Sequence, residues 1–142
     1  MNEQAVSEFP DRYIAAVFEK DVDALMGLYD DDIRIFDLWG VWVYDSPAEW
    51  RQSVTDWFAS VSEQQRVGVS FDDVHISATE DLATLLAVIT YSEVGPDGAT
   101  QESMQNRLTW ILKRRGDVWK IVHEHTSAPV DFETAKVDLQ RY

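Results

Sequence analysis

The stretch GDVWKIVHEHTSAP, residues 116–129, decides the fold. After a Gly-Asp turn signal its apolar and polar residues alternate, and a period of two marks a half-buried β-strand. Successive side chains of a strand point to opposite faces, so two sets are on offer: Trp119, Ile121, His123 and His125, or Lys120, Val122, Glu124 and Thr126. The residues alone do not choose between them. Working back along the chain, the same period predicts strands over 69–78, 82–94 and 101–113, ahead of this last one over 118–126. Turn signals separate them at Thr79-Glu80-Asp81, Gly95-Pro96-Asp97-Gly98 and Arg114-Arg115-Gly116-Asp117, the chemistry of antiparallel hairpins. In the 101–113 strand Arg107, Thr109 and Ile111 oppose Leu108, Trp110 and Leu112; in the 82–94 strand Ala87, Ile89 and Tyr91 oppose Leu86, Val88 and Thr90.

Before residue 67 the period is helical. Ser7 is placed to cap a first helix with Pro10 in its first turn, and Phe9, Tyr13 and Val17 repeat at i, i+4, i+8 as one apolar stripe. A short second helix is predicted over 21–29, carried by Val22, Leu25, Leu28 and Tyr29. An acidic turn, Asp30-Asp31-Asp32, leads into a strand IRIFD over 33–37, then a Gly40 turn and the aromatic run VWVY over 41–44. Ser46-Pro47-Ala48-Glu49 forms a capping box with proline at the first helical position. The third helix it opens carries Trp50, Val54, Trp57, Phe58 and Val61. Helices followed by a run of strands is the α+β pattern, with the helices over one face of a curved antiparallel sheet. A pocket would form on the covered face.

Composition narrows the function. The 142 residues suit one domain, and 45% hydrophobic with 27% charged residues is a folding composition. With 26 acids against 12 bases and a net charge of -14, binding to a nucleic-acid polyanion is not expected. The absence of cysteine excludes disulfides, thiolate nucleophiles and thiolate metal sites within this sequence. The first residues, MNEQAVSEFP, show neither a basic nor an apolar signal region, and the longest apolar stretch, near 82–89, is too short to span a bilayer. No membrane role and a cytoplasmic location are therefore expected. No Gly-rich phosphate loop, nucleophile elbow or Walker motif is present.

Two short helices, a strand ending in FD, a third helix and the final WKIVHEHTSAPVDF strand resemble the SnoaL-like branch of the nuclear transport factor 2-like superfamily. That branch includes ketosteroid isomerase homologues, polyketide cyclases and the association domain of calmodulin-dependent kinase. The resemblance implies a SnoaL-like domain over 1–130 with a C-terminal extension over 131–142. It implies a cone-shaped, strongly bent antiparallel sheet wrapped around three helices, a cavity at the wide end, and a homodimer built on the outer sheet face. The family's inward register would point Glu124 and Thr126 into the cavity, with Arg107, Thr109, Ile89 and Tyr91, and leave His123 and His125 outside. The spacing of 24 positions between Tyr13 and Asp37 is similar to that between the isomerase's oxyanion-hole tyrosine and its general-base aspartate. Proton transfer beside a carbonyl needs such a carboxylate base and hydroxyl donor. At the place of the isomerase's second aspartate stands Thr109, a weaker donor, and Arg107 nearby suggests an anion partner.

The candidate residues are thus Asp37 and Tyr13 for catalysis, and Arg107, Glu124, Thr126, Thr109, Trp57 and Tyr91 for binding a small apolar or anionic ligand, without cofactor or metal. The chemistry implied is that of a cofactor-independent isomerase, cyclase or lyase. Each residue also has a plain structural reading. Tyr13 suits a core tyrosine with its hydroxyl at a rim, Asp37 a turn cap, and Arg107 with Glu124 an ion pair closing the cavity. His123 and His125 have the spacing of metal ligands on one face, but no third ligand lies near, which favours packing or an interface. The alternative to an enzyme is a non-catalytic ligand-binding or oligomerisation module of the kinase-association kind.

Overall fold

A computed structural model describes residues 2–141. Four helices, α1 (Asn2–Ser7), α2 (Phe9–Phe18), α3 (Val22–Met26) and α4 (Pro47–Ser60), lie against one five-stranded sheet. Its strands are β1 (Tyr29–Phe36), β2 (Arg66–Ala78), β3 (Leu82–Val94), β4 (Thr100–Arg115) and β5 (Val118–Ser127), in the order β1-β5-β4-β3-β2. This is the expected α+β fold. The three hairpin pairings are antiparallel, while β1 runs parallel to β5. That parallel pair departs from an all-antiparallel sheet. No short hairpin joins the two strands, so a long crossover through α4 and the remaining sheet leaves their direction free.

The 82–94 strand lies where the periodicity places it, and the others extend by a few residues. The first helical segment differs more. Ser7 does not cap a helix: its hydroxyl donates to the Gln4 carbonyl at the end of α1, and α2 begins after Glu8, with Pro10 in its first turn as expected. Asp21 caps α3, accepting from the Ala24 N–H at 3.0 Å, and the helix stops at Met26 rather than at Tyr29. The acidic run is no turn but the bulged start of β1. Asp30 is held by Arg115 at 2.7 Å, and Leu28 just before the strand accepts the Ile121 N–H. The VWVY run forms a loop tied to β1 by a single bridge between Ile35 and Tyr44, with Trp42 95% exposed. The N-cap half of the expected box is present: Ser46 Oγ accepts from the Glu49 N–H, while the Glu49 carboxylate reaches back to the Ser46 hydroxyl and not to its backbone N–H.

The core lies between the helices and the inner sheet face. Phe9, Tyr13, Ala16 and Val17 bury the α2 stripe, and Trp50, Val54 and Phe58 that of α4. Trp110, fully buried at the centre of β4, gathers the rings of Phe9, Tyr13 and Phe71 at centroid distances of 6.5, 5.6 and 5.4 Å. Truncating a buried ring of this size costs roughly 3–5 kcal/mol. Register irregularities interrupt β1, β2, the end of β3 and the β4–β5 ladder. Such bulges bend a sheet, and they let this one curve around the helices. Beyond β5 the chain turns back, and Leu139 accepts the Gln105 N–H beside β4. Among the described residues no helix is long and apolar enough to cross a membrane.

Candidate functional site

The bulge in β5 fixes what the site contains. From the two-residue turn at Gly116, whose φ of +64° suits a residue without a Cβ, the pairing runs Arg115 to Val118, Lys113 to Lys120 and Leu112 to Ile121. It then slips by one residue, so that Ile111 faces His123, Trp110 faces Glu124 and Leu108 faces Thr126. Trp119 and Ile121 point inward at the turn end, and Glu124 and Thr126 at the far end. The inner face therefore takes half of each alternating set. An uninterrupted ladder would have paired Thr109 with Glu124 and Arg107 with Thr126.

That slip corrects two expected site residues. Arg107 is exposed, on the outer face, where its Nε donates to Ser127 Oγ at 3.1 Å. Thr109 is on the same outer face, paired across strands with Leu86 and His125. Neither lines the cavity, and Arg107 forms no ion pair with Glu124. In their place β4 turns Asn106, Leu108 and Trp110 inward. Across the sheet Ile89 and Tyr91 point inward as expected, opposite Asn106 and Met104.

Between the inner face, α2, α4 and the Leu38–Tyr44 loop lies a cavity of about 550 Å³. Tyr13, Asp37, Trp57, Tyr91 and Glu124 line it together, and Thr126 acts on it through Asp37. Thr126 is 5% exposed; its hydroxyl donates to Asp37 Oδ1 at 3.0 Å and accepts the Leu38 N–H at 2.8 Å. Burial pushes the Asp37 carboxyl above the usual range, against the lowering effect of the Thr126 hydroxyl and the backbone N–H groups of Trp39 and Leu38. Glu124 sits deeper, 3% exposed, accepting the Tyr29 hydroxyl at 2.5 Å and the Trp110 indole N–H at 2.8 Å on one oxygen. Burial raises it to about 7, opposed by its two donors and reinforced by the charge of Asp37. Glu124 is thereby able to take or give a proton near neutral pH, and the Asp37 carboxyl in the same cavity is shifted in the same direction.

The hydroxyls complement them. Tyr13 and Tyr91 share a hydrogen bond of 2.9 Å between their oxygens, and burial first, then neighbouring groups, keeps both protonated well past neutrality. Trp57 braces Tyr91 edge-on at 5.8 Å. Gly40 lies so close under Tyr44 that an added Cβ would fall 2.8 Å from the phenol oxygen, and its φ of +85° also favours glycine. Three participants were not singled out in the sequence. Tyr29 lay in an expected helix end, Trp110 was one of six tryptophans, and Asn106 gave no local signal. The two-residue turn would have set most of the register, but nothing in the residues marks Val122 as the bulge.

No Lys, Arg or His stands among the described residues lining the cavity. The expected anionic ligand rested on Arg107 and has no cation here to pair with. His123 and His125 lie on the outer side, with Phe36 edge-on to both at 5.0 and 5.4 Å and the His123 Nδ1 near the Arg34 carbonyl. Among the described residues no group of three His, Asp or Glu is placed to hold a metal ion.

A family model described as a SnoaL-like domain matches residues 6–131. No curated protein matches the chain by sequence. Among solved structures, a nuclear transport factor 2-like protein of unknown function from Pseudomonas putida superposes with a TM-score of 0.87 at 23% identity, over 99% of this chain and 96% of that one. A protein from Novosphingobium aromaticivorans described as a candidate aromatic ring hydroxylase gives 0.73 at 22% identity, over 88% and 87%. A candidate calcium/calmodulin-dependent protein kinase II association domain from Xanthomonas campestris gives 0.68 at 19% identity, over 87% and 85%. At these identities the likeness establishes the nuclear transport factor 2-like, cystatin-like fold.

Proposed function

The chain belongs to the SnoaL-like domain family, and from that premise we propose that it binds a small, largely apolar molecule and acts on it by cofactor-independent proton transfer. The observation that carries this reading is the convergence of Asp37, Glu124, Tyr13 and Tyr91 on one cavity of about 550 Å³. A volume of that size suits a ligand of drug-like dimensions. Asp37 is the proton acceptor, oriented by Thr126. Tyr13, coupled to Tyr91, is the neutral hydroxyl that stabilises negative charge developing on a carbonyl oxygen. An isomerase, cyclase or lyase working beside a carbonyl fits these parts. Thr109 plays no role in that chemistry.

The test is deuterium uptake from D2O at the carbon next to the carbonyl of one- to three-ring β,γ-unsaturated ketones, followed by NMR. Wild type and Arg107→Met exchange at equal rates, whereas Asp37→Asn slows exchange by about 10²- to 10⁴-fold, the usual contribution of a general base. Equal rates for wild type and Asp37→Asn would refute the role of Asp37.

A second reading, an oligomerisation module, draws on the outer face. There Phe36, His125, Thr109 and Leu86 form one row across β1, β5, β4 and β3, and Leu86 is 46% exposed. A homodimer through that row is compatible with either function, because the cavity opens on the other side of the sheet.

A further inference from the structure

Glu124 is 3% exposed at the wall of the cavity, and the chemistry assigned to Asp37 and Tyr13 does not use it. Its two oxygens are unlike. Oε1 accepts both the Tyr29 hydroxyl and the Trp110 indole N–H, while Oε2 has no hydrogen-bond partner among the described residues. Among the described side chains only Trp50 Nε1 and Asn106 Oδ1 are both unpartnered and sealed off, so Oε2 keeps accessible surface, and the space it meets is the cavity that Glu124 lines. With two donors already on Oε1, a proton on this carboxyl sits on Oε2, facing a bound substrate. Asp37 is placed differently. It is half-buried, and although burial raises it, the Thr126 hydroxyl and the backbone N–H groups of Trp39 and Leu38 favour its charged form. The charge of Asp37 acts on Glu124, and both act on Tyr91, so the two carboxyls border one part of the cavity. With no Lys, Arg or His among the described lining residues, two neighbouring carboxyls resist ionising together. Asp37 has the donors that hold a charge, Glu124 the burial that holds a proton.

We infer that Glu124 is a second catalytic residue of this site: Asp37 takes a proton from the carbon beside the substrate carbonyl, and Glu124 Oε2 gives a different proton to the carbon at the far end of the resulting dienolate. The inference rests on the proton-transfer reading above and adds the group that completes the reaction. In the first step the C–H bond breaks, its proton goes to Asp37 and its electron pair spreads onto the carbonyl oxygen. In the second, the terminal carbon of the dienolate bonds the Oε2 proton, the O–H electron pair stays on Glu124, and the carbonyl re-forms in a conjugated ketone. Asp37 ends protonated and Glu124 ionised, and water entering the emptied cavity carries the proton back. Besides Asp37, the titratable groups facing Glu124 are Tyr13 of α2, Tyr29 of β1 and Tyr91 of β3, all held protonated by burial. Glu93 and Glu102 stand exposed at the rim, α4 and β2 line the cavity with uncharged side chains, and His123 and His125 lie across the sheet. Isomerisation therefore falls as pH rises past about 7, where Glu124 loses its proton, while exchange beside the carbonyl does not.

The test uses a bicyclic β,γ-unsaturated octalone carrying deuterium at both positions of the carbon between carbonyl and double bond. Wild type converts it in H2O, and NMR at early conversion locates the label in the conjugated product. Solvent hydrogen in the new C–H bond is expected; deuterium carried to that carbon means that one carboxylate shuttles the same proton, and overturns the assignment. Glu124→Gln, whose amide oxygen still accepts from Tyr29 and Trp110, lowers the ratio of isomerisation to exchange by about 10²-fold, as loss of a general acid does, and abolishes the fall of isomerisation with pH. A ratio and pH profile equal to those of wild type overturn the assignment. Should the variant not fold, the label and pH profile of wild type decide. If wild type exchanges the hydrogens beside the carbonyl without isomerising the octalone, the proton-transfer reading stands and Glu124 has no catalytic role. If it does neither, that reading falls and the role of Glu124 with it.

Discussion

Glu124 shows how much one side chain depends on its surroundings. In the sequence it is a carboxylate between two histidines in a strand, with two possible directions. Folded, it is enclosed and held by Tyr29 and Trp110, and burial outweighs those donors to leave it at about 7 against an ordinary value of 4.5. A carboxyl raised in the folded state binds more protons there than in the unfolded chain, so stability falls as pH rises. The loss begins as the unfolded glutamate ionises near 4.5 and is complete above about 7, amounting to about 3 kcal/mol. Urea denaturation across pH 4 to 8 checks this. Relative to Glu124→Gln, whose amide oxygen still accepts both hydrogen bonds, wild type loses that stability through this window. A difference that stays flat with pH would show that Glu124 titrates normally. Tyr13 and Asp37 were singled out through the resemblance to the isomerase, whose spacing they share, and both reach the cavity. Arg107 was expected inside from the family's inward register; the one-residue slip in β5 puts Glu124 and Arg107 on opposite faces of the sheet, and no residue announces it.

At the scale of elements, local chemistry and tertiary context divide cleanly. The hairpin turns and the α4 cap rest on contacts within a few residues, so glycines, proline and the Ser46-to-Glu49 spacing suffice to predict them. Removing the cap by Ser46→Ala lowers stability by about 1 kcal/mol, which for a domain of this size lowers the melting temperature by roughly 2–4 °C. Differential scanning calorimetry reads that shift. An unaltered melting temperature would show that the cap contributes nothing. Tyr29, Asp30 and Leu28 were harder to read. Their helical spacing and acidic composition argue for helix and turn, but pairing with β5 and the Arg115 contact to Asp30 draw the chain into a strand. Tertiary hydrogen bonding overrides a weak local preference of this kind.

Across the whole molecule, the net charge of -14 is divided in its effects. Most of it is solvated surface and repels polyanions. Asp37, Glu93, Glu102 and Glu124 line the cavity instead, where no described lining base offsets them. The outer sheet face is different again, a row of Phe36, His125, Thr109 and Leu86 without a helix over it. Light scattering at micromolar concentration gives the mass of a homodimer, and Leu86→Glu shifts it to that of a monomer by placing charge in the interface. A wild-type protein that stays monomeric would dispose of that dimer.

By itself the sequence determined the α+β class, the strand count after residue 67, the hairpin turns, the capped helix and the resemblance to SnoaL-like domains. These follow from period, turn chemistry and short-range hydrogen bonds, which are written in neighbouring residues. Only the tertiary structure decided the parallel pairing of β1 with β5, the slip at Val122, and so which side chains share the cavity. Those depend on hydrogen bonds between residues far apart in the chain, the backbone bond from the Ile121 N–H to the Leu28 carbonyl and the side-chain bond from Tyr29 to Glu124, 95 positions away, among them. A single inserted residue reverses the facing of everything beyond it, and its cost is settled by the packing of the whole sheet.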